Sequence, residues 1–154
     1  MTTRPGVDAE VGGLDGFTSL TVPGSAIAAR STLTLAEVPG GGGALQLFGR
    51  PSSDAAPRLI TSYDLRLGDA PLRGLPPDAE VGVRVVVPRS PLSNAAYRAG
   101  LLEAHLRGAD GTTHVIRTCR DSATDCMRII VSIPYIEIPG EDPPWVAWLR
   151  LRGL

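Results

Sequence analysis

Glycine and proline divide this chain into short pieces, and their density limits what it can fold into. The 154 residues include 18 glycines and 14 prolines. Proline removes a hydrogen bond from a helix and glycine lowers helix stability, so little room is left for helices of ordinary length. We therefore expect a fold of short strands and turns, with at most one short helix.

Between these breaks, apolar and polar residues alternate, which is the pattern of strands with one buried face. Every second residue of the segment 81–87 is valine, and Leu59, Tyr63, Leu65 and Leu67 are predicted to share one face of the segment 58–67. Similar patterns occupy residues 16–22, 31–38, 44–49, 114–119, 127–138 and 145–154. Roughly seven to nine strands predict one all-β domain over residues 1–154, either an antiparallel β-sandwich (jelly-roll or immunoglobulin-like) or a small β-barrel.

Residues 93–107 fit two patterns. A helix would start at Ser93 as its N-cap and stop at Gly108. A strand starting at Gly100 fits as well, because apolar and polar residues alternate strictly over residues 102–107. We favour the strand, because a glycine inside a helix costs about 1 kcal/mol relative to alanine and Asp110-Gly111 is typical of a hairpin turn. A short helix near residues 93–100 is compatible with that interpretation.

Charge and hydropathy exclude several classes of protein. The formal net charge of -1 gives little long-range field for collecting phosphates, so general nucleic-acid binding is not expected. The apolar runs are too short to span a bilayer, and the first residues lack the apolar core of a secretory signal. All 15 basic residues are arginine, a bias typical of GC-rich bacterial or phage coding sequences. We expect a cytoplasmic protein.

The two histidines of the chain flank the predicted turn at Asp110-Gly111. If GADG forms the loop, His105 lies opposite His114; if Asp110-Gly111 alone forms the turn, His105 lies opposite Ile116. In both registers the two imidazoles share a face with Glu103, a set that could hold a first-row metal. The alternation makes this the polar face, however, so we expect surface histidines and no metal or other cofactor.

Two cysteines, Cys119 and Cys126, bracket the segment RDSATD. That segment is predicted to join the strands 114–119 and 127–138 as a hairpin, with both thiols at its mouth. A disulfide between them is therefore a candidate, although stable disulfides belong mainly to oxidising compartments.

The C-terminal strand carries the most suggestive side chains for binding. Trp148, Arg150 and Arg152 are predicted to share one face, while Trp145 and alternate residues after it anchor the other. Indole stacks on flat groups and guanidinium holds carboxylates or phosphates, so this face is a candidate recognition surface.

These observations favour a binding or assembly module that acts through a sheet face and loops, with a protein partner or a small apolar ligand. An alternative is a small barrel enzyme of the cyclase or isomerase type, with an apolar metabolite in a pocket lined by Tyr63, Tyr97, Tyr135 and Trp148. A second alternative is a structural component of a phage or protein shell. A homo-oligomer is compatible with the binding or assembly module and with the shell component.

Overall fold

The computed structural model describes residues 1–12, 18–72, 79–87, 89–107, 113–118, 127–130 and 145–151. Strands and one α-helix follow one another along the chain. They are β1 (Ala9–Gly12), β2 (Ser19–Val22), β3 (Leu33–Glu37), β4 (Leu45–Gly49), β5 (Arg58–Leu67), β6 (Ala70–Pro71), β7 (Val81–Val87), α1 (Pro91–Ala99), β8 (Leu102–Arg107), β9 (Thr113–Arg117), β10 (Arg128–Ile130) and β11 (Trp145–Leu151).

The strands form two sheets. The five-stranded sheet has the order β1-β2-β7-β11-β10, and the six-stranded sheet has the order β3-β5-β4-β8-β9, with β6 beside β5. All pairs of these strands are antiparallel. Antiparallel sheets can bury one face and leave the other to solvent, which is what the alternating sequences require.

One hydrophobic core joins the two sheets. Its buried strand residues are Ala9, Leu20, Val22, Val81, Val83, Val85, Val87, Ala147, Leu149 and Leu151 from one sheet, and Leu33, Leu45, Leu47, Tyr63, Leu65, Leu102, Ala104 and Leu106 from the other. β-Branched and leucine side chains pack well on a pleated surface, so the core forms where the inner faces meet. The predicted all-β, antiparallel fold is confirmed, and it is a sandwich.

Helix α1 is the one α-helix of the described residues, and it has nine residues. Its N-cap is Ser90, which accepts a hydrogen bond from the backbone of Ser93, and Gly100 ends the helix in the left-handed conformation at φ 69°. The expected strand follows at β8, so the short helix and the strand are both present. The predicted N-cap at Ser93 and stop at Gly108 are wrong.

In the described part of the chain, no helix combines the length and the apolar character needed to cross a bilayer.

A bulge in β5 changes the predicted face of one leucine. Leu47 lies opposite Thr61, but the next residue, Phe48, lies opposite Leu59, so Ile60 is the extra residue. Leu59 is turned to the outer face with Phe48 and is 37% exposed. The prediction that Leu59 shares the buried face of Tyr63 is therefore wrong.

The predicted hairpin around the cysteines is also wrong. β9 belongs to the six-stranded sheet and β10 to the five-stranded sheet, and Thr118 and Met127 meet in a parallel bridge between them. Cys119 and Cys126 themselves lie outside the described residues, so their disulfide stays a prediction without the hairpin that suggested it.

Candidate functional site

Trp148 lies on the outer face of the five-stranded sheet, on a strand with neighbours on both sides. In the pairing of β11 with β7 it is opposite Arg84, and in the pairing with β10 it is opposite Arg128. Residues directly opposite each other share a face, so Arg84 and Trp148 are on the same side of the sheet. Trp148 is partly exposed, whereas the residues before and after it, Ala147 and Leu149, are buried in the core.

Arg150 covers part of the indole from the same strand. Its Cζ lies 5.3 Å from the centre of the Trp148 ring, within the range of a cation–π interaction. Its Nε lies 3.5 Å from Oε1 of Glu80, and its side chain is 56% exposed. The guanidinium is thus oriented by two neighbours and still open to solvent, which suits it to bind an external carboxylate.

Arg84, on β7, is oriented by residues of β2 and β1, the strands on the far side of β7 from Trp148. Its Nε donates a hydrogen bond of 2.9 Å to Oγ of Ser19, the residue opposite it on β2. A terminal nitrogen of Arg84 lies 3.5 Å from Oε1 of Glu10 on β1. Gly82, two residues before Arg84, lies between Thr21 and Arg150. We call the surface formed by Ser19, Gly82, Arg84, Trp148 and Arg150 the Trp148 face.

Along β11, the first residue of the outer face whose side chain reaches solvent is Trp148. Val146, which precedes it by two residues on the same side of β11, is only 3% exposed. The predicted third member, Arg152, lies outside the described residues. Among the described residues that define the Trp148 face, the exposed or partly exposed side chains are Trp148, Arg84 on β7 and Arg150 on β11.

The tyrosines proposed to line a pocket with Trp148 lie elsewhere. Tyr63 is on the inner face of the six-stranded sheet and is part of the core. Tyr97 is on α1 and packs against that core. Because Trp148 is on the outer face of the other sheet, it cannot share an enclosed pocket with Tyr63. Tyr135 lies outside the described residues.

The two histidines are on opposite faces of the β8–β9 pair. His105 lies opposite Val115, and His114 lies opposite Leu106, a core residue. The partner of His105 is therefore one residue away from each of the two predicted partners, His114 and Ile116. A shift of one residue moves a side chain to the other face of the sheet. The prediction that His105, His114 and Glu103 share a face is therefore wrong.

Glu103 is instead part of a buried charged cluster on the outer face of the six-stranded sheet. Its side chain is 3% exposed, and its oxygens are approached by Arg50 at 3.3 Å and by Arg117 at 3.7 Å. Nε2 of His105 lies 3.2 Å from Oε1, and the His105 ring lies against Phe48 at 4.4 Å between centroids, with the two rings tilted by 37°. The alternation of apolar and polar residues predicted that Glu103 is exposed to solvent. Its burial is therefore a feature that the sequence did not reveal.

The contact between His105 and Glu103 is close without being a hydrogen bond. Nε2 is buried and has no hydrogen-bond partner in the described part of the chain, although Oε1 is within 3.2 Å. We attribute this to orientation, because a ring N–H bonds only along its own direction. Oε1 instead accepts a hydrogen bond of 3.3 Å from Nε of Arg50.

This cluster is poorly suited to a metal. Arg50 and Arg117 place positive charge beside both carboxylate oxygens, which opposes a cation at the same position. Among the described residues, no group of three or more His, Cys, Asp or Glu side chains could hold a metal ion. The geometry favours a structural role in which two guanidinium groups compensate a buried carboxylate.

No protein-family model, curated protein or solved structure matches this chain. Its function must therefore be inferred from the geometry of its surfaces.

Proposed function

We propose that this chain is a binding module that recognises a partner protein through the Trp148 face. The observation that carries the proposal is the arrangement of Arg150 over the Trp148 ring at 5.3 Å on a strand paired on both sides. Tryptophan and arginine are, with tyrosine, the residues enriched at the energetic centres of protein interfaces.

The rigidity of the surface supports this function. Trp148 alternates with the buried residues Ala147 and Leu149, so the core fixes the strand beneath it. Arg84 is held by Ser19 and Glu10, and Arg150 by Trp148 and Glu80. Side chains that are already ordered lose less conformational entropy on binding, which leaves more of the contact energy as affinity.

The exposure of the two arginines is a further support. Both side chains are about half exposed, at 46% for Arg84 and 56% for Arg150, although each has a glutamate within 3.5 Å. Exposed ion pairs of this kind contribute about 0.2–1 kcal/mol, so a partner can replace the glutamates at little cost.

A random dodecapeptide display library, selected against the purified chain, tests this function. We expect enriched peptides whose affinity falls by about 2 kcal/mol, or roughly thirtyfold, in Trp148→Ala. The matched control is Val115→Ala, which truncates an exposed apolar residue on the outer face of the other sheet and should leave the affinity unchanged.

Two results would contradict the proposal. One is enrichment of peptides that bind Trp148→Ala as tightly as the unmodified chain. The other is loss of the folded state in Trp148→Ala, because Trp148 would then belong to the hydrophobic core rather than to a recognition surface.

A further inference from the structure

We draw no further inference here: the strongest candidate, the outer face of the six-stranded sheet where Phe48 and His105 lie beside the exposed side chain of Val115, carries no proposal because nothing in the described part of the chain shows what covers it.

Discussion

Arg50 binds the buried carboxylate of Glu103 from the end of the neighbouring strand. Its Nε donates a hydrogen bond of 3.3 Å to Oε1, and one of its terminal nitrogens donates to the carbonyl oxygen of Ala55 over 3.1 Å. Glu103 is 3% exposed and Arg50 is 30% exposed, so the pair lies at the boundary between protein and solvent. A carboxylate at this depth is tolerated because cationic groups and a hydrogen bond compensate the loss of water.

Removing the charge of Glu103 should therefore destabilise the fold. We expect Glu103→Gln to lower the free energy of unfolding by about 2 kcal/mol, less than for a fully buried pair, because solvent screens the half-buried Arg50. Arg117→Ala should cost less than about 1 kcal/mol, because Arg117 is 75% exposed and 3.7 Å from the carboxylate. Urea denaturation of the two variants measures both, and equal losses would contradict this division of roles.

Local periodicity was sufficient to predict the strands of the core. β5 and β7 have the same bounds as the predicted segments 58–67 and 81–87, because a period of two over several residues is a property of the segment alone. The inward-facing valines of β7 are all buried. The outward position of Trp148 in β11 was predictable for the same reason.

Features that depend on pairing between strands could not be predicted in this way. The register of β8 with β9 differs by one residue from each of the predicted pairings, which is enough to separate His105 from His114. The burial of Glu103 depends on β4 lying next to β8, which brings Arg50 and Phe48 to it across a long sequence separation. Leu59 faces outward because of a bulge that alternation does not reveal.

We expect no stoichiometric metal in the protein after purification without an affinity tag. His114 lies on the face opposite to His105, and the remaining pair, Glu103 and His105, has two arginines beside it. Elemental analysis is the direct measurement. About one iron, manganese or zinc per chain, lost in His105→Ala, would show instead that this cluster rearranges to bind a cation.

Gly43 should be intolerant of any side chain, in contrast to Gly12. A Cβ on Gly43 would overlap the carbonyl oxygen of Tyr63 and lie 2.6 Å from Oγ of Ser62, which accepts a hydrogen bond of 2.8 Å from the Gly43 backbone. Backbone cannot move aside as a flexible side chain can, so Gly43→Ala should cost at least about 2 kcal/mol.

The matched control for Gly43 is Gly12→Ala, which should change stability by less than about 0.5 kcal/mol, because among the described residues its Cβ would meet only the carbonyl oxygen of Thr18, at 3.8 Å. Thermal denaturation of the two proteins compares them directly. Equal Tm values would mean that the loop before β4 adapts at no cost, and the close packing of Gly43 would then have no energetic consequence.

Alanine substitutions of Trp148 and of its neighbour Leu149 should have different effects on the stability of the fold. Leu149 is fully buried between the sheets, so Leu149→Ala should lower the free energy of unfolding by about 2–5 kcal/mol. Trp148 is partly exposed on the outer face, and Trp148→Ala should cost about 1 kcal/mol, mainly from the lost contact with Arg150. Urea denaturation gives both values. A loss in Trp148→Ala as large as that in Leu149→Ala would assign the indole to the core, and the Trp148 face would no longer be a candidate for recognition.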